Sequence, residues 1–95
     1  MSMQVTVRFY SILRDTIGRS EVYTLKTGSN VGLLLETLIQ VHGDTAKNFL
    51  YTDDGRLKGS ITILVNGANI NHINHLETTL GDGDTVNLLP PVGGG

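Results

Sequence analysis

The group in this chain best placed to do chemistry is a main-chain one. Gly93-Gly94-Gly95 close the sequence behind Pro90-Pro91-Val92, and the α-carboxylate of Gly95 is the expected reacting group. A glycine-rich end taken alone is ordinarily a frayed terminus. Here a strand is predicted to run straight into two prolines, whose fixed φ favours an extended projection. At roughly 3.3 Å per extended residue, the segment from Pro90 onward reaches about 20 Å. Glycine lacks a Cβ, so such a tip suits a narrow channel in another protein and leaves the terminal carbon open to attack. A carboxylate is a poor electrophile. An activating partner must first convert it to an acyl-adenylate at the expense of ATP. A sulfur nucleophile displacing the nucleotide leaves a thiocarboxylate on Gly95, whereas a lysine amine gives an isopeptide bond. On this reading Pro90, Pro91, Val92, Gly93 and Gly94 thread a partner's site, Gly95 is modified, and the chain is the group carried, not the catalyst. No cofactor is expected on the chain itself; ATP is used by the partner.

Side-chain chemistry is much less promising. With no cysteine, thiolate metal sites, disulfides and a cysteine nucleophile are excluded, and any sulfur chemistry needs a group other than a thiol side chain. His42, His72 and His75 lack a closed ligand set, and His42 at a helix end suits the dipole. Asp53-Asp54 and Asp82/Asp84 sit in glycine turns, where aspartate is favoured for local hydrogen bonding. Ser11, Ser29 and Ser60 have no adjacent base, and Gly81-x-Gly83 is not followed by the helix a phosphate loop needs. No catalytic residue and no metal site is expected.

The elements that would position the tail follow from periodicity. Gln4 to Phe9 alternates, with Val5, Val7 and Phe9 on one face. A turn of helix is expected between Tyr10 and Gly18, then a second strand, Glu21 to Lys26, in a hairpin with the first. Asn30 or Ser29 caps a helix in which Leu34, Leu35, Leu38, Ile39 and His42 recur at helical spacing, and Gly43 stops it. Between Asp44 and Gly59 a short helix and a hairpin tip at Asp53-Asp54-Gly55 are expected. Ile61 to Val65 reads as a strand, followed by the strong turn signal Asn66-Gly67. A short or irregular strand and the turn Gly81 to Asp84 lead into the last strand, Thr85 to Leu89, which the prolines end. One amphipathic helix on a mixed sheet of about five strands is α+β. The order is that of the β-grasp, or ubiquitin-like, fold: a domain over residues 1–89 and a flexible tail over 90–95.

Strand parity adds a candidate docking face. If Ile61, Ile63 and Val65 face the helix, Leu64 points away; if Val86 and Leu88 face in, Leu89 points away. In a β-grasp sheet these strands are neighbours. Leu64 and Leu89 are therefore expected together on the outer face, beside the root of the tail, as a partner interface.

Four stretches carry a family resemblance. Val7-Arg8-Phe9-Tyr10-Ser11-Ile12-Leu13-Arg14-Asp15 is similar to the opening strand and turn of the MoaD/ThiS group of ubiquitin-like sulfur carriers. Asp54-Gly55-Arg56-Leu57 with Ile63-Leu64-Val65-Asn66-Gly67 resembles its middle, and Leu76 to Val86 its approach to the last strand. Leu89-Pro90-Pro91-Val92-Gly93-Gly94-Gly95 is the most specific element. The likeness is strongest to the MoaD branch, the small subunit of molybdopterin synthase, and to the small archaeal modifier proteins. Gly93 departs from the family's commoner serine or alanine. The resemblance implies that Gly95 is adenylated by a ubiquitin-activating-type enzyme and thiocarboxylated. It further implies that the tail enters the large subunit of molybdopterin synthase, where sulfur passes to a pterin precursor, and that Leu89 contacts partners. Two other readings stay open: a protein modifier joined through Gly95 to acceptor lysines of other proteins, and an interaction module with an inert tail.

Composition limits the remaining classes. A chain of 95 residues supports one domain. Its net charge of −2 with scattered charges gives no nucleic-acid footprint. No apolar run approaches the roughly 20 residues that span a bilayer, and Met1 to Val7 lacks the apolar core of a signal peptide. A cytoplasmic protein without nucleic-acid or membrane partners is expected.

Overall fold

A computed structural model describes residues 1–91. Strand β1 (Ser2–Phe9) leads through the short helix α1 (Ile12–Thr16) to β2 (Ser20–Lys26). Helices α2 (Val31–His42) and α3 (Asp44–Leu50) follow, then β3 (Thr62–Val65), the two-residue β4 (Ala68–Asn69), two 3₁₀ turns (Ile70–His72 and His75–Glu77), and β5 (Thr85–Leu89). The sheet order is β2-β1-β5-β3-β4. The central pair β1/β5 is parallel and every other pair is antiparallel.

The last strand lies in the middle of the sheet, where its apolar residues are covered from both sides. Val86 and Leu88 are fully buried, between Val7 and Phe9 of β1 and Val65 and Ile63 of β3. Helix α2 covers that face with Leu34, Leu35 and Leu38, all completely buried. The inward face of β1 is Val5, Val7 and Phe9, as alternation predicts, extended by Met3.

The punctuation residues act as their chemistry requires. The Asn30 side-chain oxygen accepts from the Leu33 amide at 2.9 Å and caps α2. Gly43 ends α2 with φ of 65°. Asn66 and Gly67, both at positive φ, form the two-residue turn that pairs Leu64 with Asn69 and Val65 with Ala68. Residues 44–59 hold the expected short helix, which buries Ala46 and Leu50, and a hairpin tip closed by a Tyr51–Leu57 bridge. The carboxylates of the last turn are committed to structure. Asp84 accepts from the Gly81 amide (2.7 Å) and the Asn66 side chain (2.9 Å), and Asp82 accepts from the Gln4 amide (2.8 Å).

A polar cluster that periodicity does not reveal ties β2 to the end of α2. Glu21 accepts from the Tyr23 hydroxyl at 2.6 Å and contacts the His42 ring at 2.5 Å through the same oxygen. Burial pushes the Glu21 carboxyl up, but the hydrogen bonds from Tyr23 and His42 and the charge of His42 outweigh it and hold its pKa below the ordinary value. Burial first, then the bond to Glu21 and its charge, pushes the Tyr23 phenol above its ordinary range.

Candidate docking face and C-terminal tail

With α2 on one side, the other side of the sheet carries no helix among the described residues. Its centre is set by register: Thr62 opposes Leu89, Leu64 opposes Asn87, and Arg8 lies beside Asn87 across the parallel pair. Leu64 and Leu89 are therefore diagonal neighbours on one face, the arrangement in which Cα atoms lie about 7–8 Å apart. Both are half-buried, whereas their inward neighbours Ile63 and Leu88 are buried. Val22, 61% exposed, extends the same face on β2 by pairing with Thr6.

Asn87 is the residue of this face that the sequence analysis missed. Its side-chain oxygen is buried, and no described residue donates to it. Leu64 and Arg8 flank it across the two neighbouring strands. An unmet acceptor of this kind costs stability unless a donor arrives from outside. The signal was present in the sequence, since parity places Asn87 between Leu89 and Thr85 on the outward side of an otherwise apolar strand.

The root of the tail differs from the expected projection at Pro90. Pro90 is buried and Pro91 is exposed. Pro90 packs into the domain, lining a cleft of about 280 Å³ with Ile12, Phe49, Lys58, Ser60, Ile61 and Pro91. The pyrrolidine ring is apolar and has no N–H to satisfy, so it is buried at little cost and the chain leaves the packed body one residue later. Val92, Gly93, Gly94 and Gly95 lie outside the described residues.

Among the described residues, no group of three or more histidine, aspartate or glutamate side chains converges as a metal site. His42 is engaged by Glu21, and His75 contacts the Asn71 side chain at 3.2 Å. Among the described residues, no helix is long and apolar enough to cross a membrane.

Comparison with known proteins agrees with the fold. The pattern of the ThiS family matches residues 7–95. Small archaeal modifier protein 3 of Haloferax volcanii is 31% identical over 98% of this chain and 100% of its own length. The sulfur carrier protein CysO of Mycobacterium tuberculosis is 29% identical over the same shares. The crystal structure of SAMP1 from Haloferax volcanii superposes with a TM-score of 0.83 at 28% identity, covering 97% of this chain and 99% of that one. A chain of the Amycolatopsis orientalis BexX/CysO complex superposes with a TM-score of 0.71 at 28% identity, covering 96% and 99%. The chain belongs to the ThiS family, whose ubiquitin-like β-grasp members include sulfur carriers and small archaeal modifiers.

Proposed function

We propose that this protein is a sulfur carrier whose Gly95 carboxylate is adenylated by a ubiquitin-activating-type enzyme with ATP and then converted to a thiocarboxylate. The observation that carries the reading is the layout of β5. One strand presents Leu89 and Asn87 to the open face and passes through Pro90-Pro91 directly into Val92-Gly93-Gly94-Gly95. A partner seated on that face lies at the root of the segment it must receive. Four residues follow Pro91, a span of roughly 13 Å when extended, which suits a reactive centre set back from the partner's surface. The partners supply the catalysis and the nucleotide, and the reaction takes place in the cytoplasm. The acceptor we propose is a pterin precursor held by the large subunit of molybdopterin synthase; the Pro-Pro-Val ending supports it. The similarity to small archaeal modifier protein 3 along its full length favours a second use of the same activated end, conjugation to lysines of other proteins.

Intact-protein mass spectrometry of the chain purified from its native cell tests the proposal. Replacement of one oxygen by sulfur, localised to Gly95, is the expected result. A chain ending at Gly93 that still fulfils the cellular role would overturn both the carrier and the modifier reading.

A further inference from the structure

Three of the four arginines in the chain line one cleft. Arg8, at the end of β1, Arg14, on α1, and Arg19, just before β2, surround a space of about 190 Å³ with Phe9 and Tyr10. All three are exposed. Among the described residues the ion pairs are His42–Glu21 and Arg56–Asp54, so none of the three has a carboxylate partner, not even Asp15 beside Arg14. Gathering three cations without a paired carboxylate is unfavourable for the chain alone, because like charges repel. The backbone holds them together. The Phe9 amide donates to the Arg19 carbonyl at 2.9 Å, and Ser11 turns the chain into α1 at a φ of 55°. The Arg8 guanidinium lies 5.9 Å from the centre of the Tyr10 ring, which orients it by cation–π attraction.

The cleft is also placed where a tail-receiving protein must come. Arg8 and Phe9 run parallel to Asn87 and Leu88, so the end of β1 lies beside the end of β5, next to the exit at Pro90-Pro91. Arg8 belongs to both regions, because it flanks Asn87 on the open face. We infer that the cleft of Arg8, Arg14 and Arg19 is a receptor for clustered carboxylates on the protein that receives the tail, setting its orientation on the sheet. The identity of that protein rests on the carrier reading; the binding chemistry does not. Guanidinium groups bind carboxylates with paired N–H donors, and a cluster of like charge both steers an oppositely charged partner and rejects basic surfaces.

The test is NMR titration of the full, ¹⁵N-labelled chain at low ionic strength, reading the arginine side-chain N–H signals. The probes are a hexaglutamate peptide and, separately, inorganic phosphate. Saturable shifts of Arg8, Arg14 and Arg19 with the peptide, and none at Arg56, are expected. The Arg14→Gln/Arg19→Gln double variant should bind the peptide at least ~10-fold more weakly, with Arg56→Gln unchanged. Should the double variant prove misfolded, Arg8→Gln alone must still weaken binding. Equal shifts at all four arginines, no saturable shift, or saturation by phosphate but not by the peptide would each overturn the inference. A chain ending at Gly93 should bind the peptide as well as the intact chain. An intact chain that binds the peptide but is never loaded at Gly95 would sink the carrier reading alone.

Discussion

Leu88 and Leu89 are adjacent, chemically identical, and assigned opposite fates by the fold. Leu88 is completely buried between Phe9 and Ile63, themselves 2% and 1% exposed. Truncating it to alanine leaves a cavity whose walls, two sheet neighbours and α2, cannot close. The expected cost is about 3–5 kcal/mol, against a total stability of ~5–14 kcal/mol for a domain of this size. At ~4–8 °C per kcal/mol, Leu88→Ala should lower the melting temperature by between about 12 and 40 °C. Leu89 lies half-buried on the open face, opposite Thr62. Leu89→Asp loses part of one side chain's burial and some strand propensity, about 1 kcal/mol, and should lower the melting temperature by less than about 10 °C. Its functional effect should be the reverse in size, because it puts a charge at the centre of the proposed docking face. The assays are thermal melting by circular dichroism and the rate at which an adenylating enzyme of the ubiquitin-activating type loads Gly95. If Leu89→Asp destabilises as much as Leu88→Ala, the assignment of faces is wrong. If Leu89→Asp is well folded and is loaded at the native rate, partners do not dock there.

Other substitutions probe separate links. Asn87→Val removes a buried acceptor with no described donor and should raise stability by about 1 kcal/mol in urea unfolding while weakening partner binding; a loss of stability would show that the oxygen is satisfied in the free protein. Asn30→Ala removes the cap of α2 and should cost about 1 kcal/mol, measured the same way. The Glu21 cluster predicts a pH dependence on both sides of neutrality. A carboxyl whose folded pKa is lowered binds fewer protons when folded, so its contribution is present above the unfolded value and is lost as pH falls through the folded one. The raised Tyr23 phenol contributes below its ordinary value near 10 and loses that contribution as pH rises beyond it. Unfolding midpoints measured from about pH 3 to about pH 11 should show the acid limb flattened in Glu21→Gln and the alkaline limb only reduced, since burial of Tyr23 remains; an unchanged acid limb would place the dependence elsewhere.

Much of this architecture was legible as pattern. Alternation along β1 and β5, the 3.6-residue recurrence in α2, and turn residues such as Asn66-Gly67 are local signals, and each element forms where they point. Local hydrogen bonding also explains why Asp84 belongs to a turn and not to acid–base chemistry, while the bond of Asp82 to the Gln4 amide joins the turn to β1 across the fold. The Leu64–Leu89 diagonal needed one more step, because parity gives a face for each strand but only the pairing of β3 with β5 makes the two faces one.

By itself, then, the sequence determined the order of the main elements and the inward faces of β1, β3 and β5. Periodicity and composition are properties of neighbouring residues, and they need no partner from elsewhere in the chain. Tertiary structure decided the rest: the burial of Pro90, the unmet oxygen of Asn87, the link of Glu21 to His42, and the meeting of Arg8, Arg14 and Arg19 around one cleft. Each of these depends on which strands become neighbours. That choice is made by burying Val86 and Leu88 between β1 and β3, a global gain in apolar contact that no local stretch of sequence encodes.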